Sequence, residues 1–172
     1  MKKKLVHLYT GDGEGKTTAA FGLALRALGR GWKVCIIQFL KGLESGEVLA
    51  LKKFPGVRIE QFGREGFVDF ENPLGEDYQL AEKGLESAKE VIYKENYDLV
   101  ILDEINLAVA VGLVREEDVL ELIEGRPPKV ELILTGRGAS SKLVAAADYV
   151  TEFKKIKHPF ERGEEAREGI EF

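Results

Sequence analysis

A chain of 172 residues is long enough for one domain with an ordinary core, and it needs neither disulfides nor a structural metal to hold together. With 44% hydrophobic and 32% charged residues it reads as globular rather than disordered, and a net charge of -5 argues against a nucleic-acid partner, which calls for a basic face. The lone cysteine, Cys35, excludes an intramolecular disulfide.

Cys35 lies in the apolar run KVCIIQF and reads as a buried strand residue in a protein of the reducing cytoplasm. The opening MKKK is followed by too short an apolar run for a signal peptide, and no stretch approaches the roughly 20 apolar residues of a membrane span. The expected location is cytoplasmic.

In chain order, short β-rich runs alternate with helical patterns. KLVHLY (4–9) is a strand, and a helix runs from Lys16 to Leu28, stopped by Gly29 and Gly31. WKVCIIQF (32–39) is the second strand, followed by a short helical stretch near GEVLALKKF and a third strand, VRIEQF (57–62). After a loop with Gly63 and Gly66, Asn72 is placed to cap a long amphipathic helix with Pro73 in its first turn. YDLVILDE (97–104) is almost continuously apolar, as a strand buried on both faces should be. A helix around REEDVLELIEG, the strand KVELILTG (129–136), a helix in SSKLVAAAD and a last short strand YVTEF (149–153) follow, and a polar tail closes the chain. Alternation of this kind predicts an α/β fold: a mostly parallel sheet with helices on both faces, in a single domain spanning residues 1–172.

Three of the segments that follow strands carry chemistry, and ligands of such sheets bind at the carboxyl ends of the strands. TGDGEGKTT has the glycines, inward amides and helix start of a phosphate-binding loop. Lys16 adds a mobile charge, and Thr17 is placed to hold Mg2+. Thr10 stands where the usual spacing G-x-x-x-x-G-K-(S/T) has its first glycine, so the loop is entered in an unusual way. Asp103 and Glu104 end a hydrophobic strand, where carboxylates hold Mg2+ directly or through water, or where Glu104 activates a water. The motif leaves both open. Arg137, in LTGRG, is a candidate phosphate contact, and His7 reads as a packed strand residue. These features alone fit a RecA-like P-loop hydrolase or phosphotransferase, a non-catalytic nucleotide switch, or a transferase.

Several segments together resemble the P-loop corrinoid adenosyltransferases: YTGDGEGKTTAAFGLALRALGRG, VCIIQFLKG, GREGF, VILDEINLAV, LILTGRG, AADYVTEF and the closing KHPFERGEEAREGIEF. The resemblance implies transfer of the 5′-deoxyadenosyl group of ATP to the cobalt of a reduced corrinoid, with release of tripolyphosphate. It implies Mg2+ or Mn2+ as cofactor, an electron donor for the cobalt, a homodimer, and neither nucleic acid nor membrane as partner. Carried over residue by residue, ATP contacts fall on Thr10, Gly11, Asp12, Gly13, Glu14, Gly15, Lys16, Thr17, Thr18 and Arg137. The metal falls on Thr17 and Glu104, with Asp103 supporting from behind. Lys16 and Phe67 are the expected catalytic residues. Phe67 and Phe70 are expected to face the corrinoid, because a tryptophan found two positions after the aromatic of GREGF in some members falls on Asp69 here. The tail, about 154–172, is expected to pack on or near the active site.

Overall fold

Residues 4–66 and 68–171 are described by the structure, a computed structural model. Six strands, β1 (Val6–Thr10), β2 (Val34–Phe39), β3 (Val57–Phe62), β4 (Leu99–Asp103), β5 (Glu131–Thr135) and β6 (Tyr149–Glu152), form one sheet in the order β3-β2-β4-β5-β1-β6. Every neighbouring pair is parallel. Between them run helices α1 (Lys16–Leu28), α2 (Gly46–Leu51), α3 (Gly75–Lys94), α4 (Ile105–Ala110), α5 (Glu116–Gly125) and α6 (Ser141–Ala146).

The central strands explain the layers. β2 and β4 are buried at every position, so each face must be covered. Side chains still alternate: Cys35, Ile37 and Phe39 belong to the apolar cluster that includes Leu85 and Val91 of α3, Leu122 of α5 and Leu143 of α6, whereas Val34 and Ile36 belong to the one that includes Ala20 and Phe21 of α1 and Val48 of α2. Burial of each such Leu, Ile or Val stabilises by about 1.5–3 kcal/mol, which makes the β2–β4 centre the firmest part of the molecule. Because all strands are parallel, the turns leaving β1, β2, β4, β5 and β6 open on the same edge. His7 is accounted for by packing: its ring stacks on Tyr149 with centroids 4.7 Å apart, and Nε2 lies 2.7 Å from Glu131 Oε1.

The structure departs from the sequence reading in two local details. Asn72 does not cap α3, which begins at Gly75 behind the cap residue Leu74. The buried Asp77 carboxylate accepts the Leu74 N–H at 2.8 Å, while Asp69 Oδ1 takes the N–H groups of Glu71 and Asn72 at 3.0 and 3.3 Å. A carboxylate in the first turn thus reaches back to the N–H of the cap residue, and Pro73 stands ahead of the helix. The second difference is α4, whose sequence INLAVA has no polar–apolar period to reveal it. Among the described residues no helix is long and apolar enough to cross a membrane.

Candidate active site at the carboxyl edge of the sheet

The phosphate loop joins β1 to α1, and Gly15 turns into the helix with a left-handed φ of 103. The loop is braced from β6: the Gly13 N–H donates to the Phe153 carbonyl at 2.6 Å, and the Phe153 N–H donates to the Thr10 carbonyl at 2.8 Å. A Cβ at Gly13 would stand 2.7 Å from that Phe153 oxygen, so the glycine is needed for contact with the chain itself. Thr10, the unusual residue, uses its hydroxyl to accept the Ala139 N–H at 3.3 Å, tying the loop to the turn after β5. The side chain of Lys16 folds along the loop, donating to the carbonyls of Gly11 and Gly13 at 2.8 and 2.7 Å.

The other half of the site is built of charge. Asp103, at the end of β4, is fully buried and accepts four hydrogen bonds. Thr17 and Thr135 hydroxyls donate to Oδ1 at 2.9 and 2.7 Å, and Gln38 Nε2 and Lys41 Nζ donate to Oδ2 at 2.9 and 2.8 Å. Bonds to a buried charge contribute about 1.5–3 kcal/mol each, enough together to offset the several kcal/mol that burying a carboxylate costs. Burial alone would raise the Asp103 pKa, but the Lys41 ammonium and these hydrogen bonds hold it below the usual carboxylate range. With every lone-pair direction engaged, Asp103 has none left for a metal ion; it orients the groups around it.

Glu104 is its opposite. It sits in the left-handed region at φ 62, a strained conformation for a side-chain-bearing residue, and its N–H is fixed on Thr135 Oγ1 at 3.0 Å. Burial, then the neighbouring Asp103 charge, raise its pKa. Desolvation lowers the pKa of Lys16, while the charge of Glu104 acts in the opposite sense. Exposed Arg137 lies close enough for its charge to bear on both Lys16 and Glu104.

The donor chemistry fits a hard divalent ion. The Thr17 hydroxyl has its proton committed to Asp103, which leaves oxygen lone pairs, and Glu104 is a carboxylate lacking a full counter-charge. Among the described residues no three His, Cys, Asp or Glu side chains are grouped to hold a metal alone. An ion bound by one hydroxyl and one carboxylate would take its remaining ligands from phosphate and water, as Mg2+ does beside nucleotides.

The loop, the acidic pair and the turn after β5 thus converge as expected, through Asp103 and Thr135. Phe70 is half-exposed on the loop after β3, and Phe67 lies outside the described residues. Sequence reasoning missed Gln38, Lys41 and Phe153. It also missed Asn106, whose Nδ2 joins the carbonyls of Tyr9 and Gly136 at 3.3 Å each. The polar residues in the otherwise apolar exit QFLKG were the available signal for the first two.

The ATP:corrinoid adenosyltransferase BtuR/CobO/CobP family model matches residues 2–172. The corrinoid adenosyltransferase of Pseudomonas aeruginosa is 38% identical over 169 residues, covering 98% of this chain and 82% of that protein. The enzyme of the same description from Escherichia coli K12 is 33% identical over 171 residues, covering 99% and 87% respectively. Among solved structures, the KaiC-like protein PH0186 of Pyrococcus horikoshii superposes with a TM-score of 0.56 at 17% identity, over 91% of this chain and 75% of that one, a likeness of fold. A family model spanning the loop, the Asp103 network and the tail, with relatives alike along nearly the whole of this chain, settles the grouping: the chain belongs to the ATP:corrinoid adenosyltransferase family.

Proposed function

We infer that this chain catalyses the reaction of its family, moving the 5′-deoxyadenosyl group of ATP onto the cobalt of a reduced corrinoid. The observation that carries the reading is the family match from residue 2 to residue 172, which includes the phosphate loop, Asp103 and Glu104. Co(I) supplies both electrons of the new cobalt–carbon bond, the bond from the 5′ carbon to oxygen breaks, and tripolyphosphate departs with that electron pair. The cobalt, as nucleophile, needs no protein side chain in that role. What the protein must supply is positive charge and amide donors arranged in advance around the leaving group.

Lys16 and the amides of residues 11–18 hold the phosphates, with Arg137 reaching the outer ones. Thr10 contributes through the shape it gives the loop. Mg2+ or Mn2+, held by Thr17 and Glu104, would neutralise phosphate charge. Asp103 fixes the Thr17 proton and thereby the direction of the oxygen lone pairs. In this reading Phe67 would displace the lower cobalt ligand, which makes reduction by an electron donor accessible, and Phe70 would be a second aromatic facing the corrinoid. The tail packs on or near the active site, a reading supported by its root at Phe153, which is bonded to Gly13, and by Arg167, which lies close enough to Glu14 for their charges to interact. The enzyme works as a cytoplasmic homodimer, in keeping with the exposed edge strand β6, where Tyr149 and Val150 are half-exposed.

Incubation with ATP, a divalent ion and a chemically reduced corrinoid tests the proposal. The expected result is a light-sensitive cobalt–carbon product seen in the absorbance spectrum. Conversion of ATP to ADP with no such product would overturn it in favour of a hydrolase.

A further inference from the structure

Lys41, which neutralises Asp103, has been given no part in binding the substrates or the metal, and the backbone is strained to put it there. The chain leaves β2 through Leu40, which adopts a left-handed φ of 61. Residues with side chains hold that conformation only where their surroundings impose it. Here the turn after β3 imposes it: a Cβ on Gly63 would stand 2.3 Å from the Lys41 nitrogen, and a Cβ on Gly42 would stand 2.4 Å from the Arg64 carbonyl oxygen. Two strand exits cross in backbone contact, and the crossing aims Lys41 inward.

There Lys41 Nζ donates to Asp103 Oδ2 at 2.8 Å and to Thr17 Oγ1 at 3.3 Å. Thr17 has already given its proton to Asp103 Oδ1 at 2.9 Å. The ammonium therefore approaches the Thr17 oxygen on its lone-pair side, the side from which a metal ion must coordinate. Asp103 and Glu104 bring negative charge to this corner, and Lys41 cancels part of it.

We propose that Lys41 is a positioning residue that serves as the resident counter-cation of the metal site, competing with the divalent ion for the Thr17 oxygen, so that the ion binds tightly only together with nucleotide. The proposal rests on the reading of Thr17 and Glu104 as metal ligands. A triphosphate resolves the competition in two ways. It brings further negative charge, and it offers Lys41 new acceptor oxygens when the ion takes Thr17.

Binding of Mn2+ alone, without nucleotide, followed by electron paramagnetic resonance, reads the competition directly. Lys41→Gln removes a like charge a few ångströms from the ion, and its Mn2+ affinity should exceed that of the unsubstituted protein by about tenfold or more, while Lys41→Arg should leave it low. With ATP present the difference should narrow. Equal or weaker Mn2+ binding by a folded Lys41→Gln protein would overturn the proposal. If that variant is unfolded without metal, Mn2+ alone should restore its native circular dichroism, because the ion then replaces the ammonium. Failure to do so would equally overturn it. Thr17→Ala separates the two levels: unchanged binding of Mn2+ with ATP in that variant would discard the metal reading itself, whereas a loss there combined with an inert Lys41→Gln would discard only the role of Lys41.

Discussion

The two halves of the site are made of different material. At the exits of β2 and β4, position is set by charge: Asp103 is fully buried, with Thr17, Thr135, Gln38 and Lys41 all directed at its two oxygens. At the exits of β1 and β6, position is set by backbone: Gly13 is bonded to Phe153, Phe153 to Thr10, and all four residues of β6 are exposed. The centre of the sheet excludes water, so a polar group there must be saturated and is then held rigidly. The edge cannot exclude water, and it fixes the loop through close main-chain approach, which tolerates no added atom. One half is sensitive to charge, the other to volume.

The largest effect should come from Asp103→Asn, which keeps the shape and removes the charge. It leaves Lys41 partly buried beside a neutral group and should lower stability by about 3–5 kcal/mol in denaturant unfolding. A native midpoint would mean that the four bonds are not a unit. Lys16→Ala should leave the fold intact and reduce turnover about 100- to 1,000-fold, as loss of a donor to developing negative charge does. Unchanged turnover in steady-state assays would remove Lys16 from the chemistry. On the backbone side, Gly13→Ala must push Phe153 away and should cost about 1–3 kcal/mol with a raised KM for ATP. The same loss without any change in KM would mean that the brace from β6 does not shape the loop.

Two smaller effects refine the contrast. Thr10→Val keeps the volume but removes the acceptor for the Ala139 N–H, a loss of about 1 kcal/mol measurable by thermal unfolding. Cys35, on the same strand as Gln38, has its thiol pushed up to about 12 by burial. At mildly alkaline pH it remains a neutral thiol and should ignore Ellman's reagent while the sheet is closed. Reaction should quicken in Asp103→Asn and stay slow in Gly13→Ala, because only the former loosens the sheet centre.

The sequence was most informative where structure is local. Helix α1 runs over the predicted residues because its stop glycines are in the chain, and the central strands are recognisable because a strand buried on both faces is apolar throughout. The phosphate loop was legible from glycine spacing and its place after a strand. The Asp103 network was not: its partners lie 32, 62, 65 and 86 residues away in sequence, and no local pattern marks which donor will meet which acceptor. Phe153 escaped notice for a related reason, since it acts through backbone atoms that any residue has. Asn72 was misread because the helix starts behind Leu74, whose own N–H is taken by the Asp77 carboxylate reaching back from the first turn, a contact that no cap-residue pattern marks.

Which bond of ATP breaks decides the central claim. ATP isotopically labelled in the oxygen that joins the 5′ carbon to the first phosphate should, after turnover with a reduced corrinoid, leave all of that label in tripolyphosphate and none on the adenosyl product. Label retained on the nucleoside, with ADP and orthophosphate as the other products, would contradict adenosyl transfer and place the chemistry at phosphorus instead.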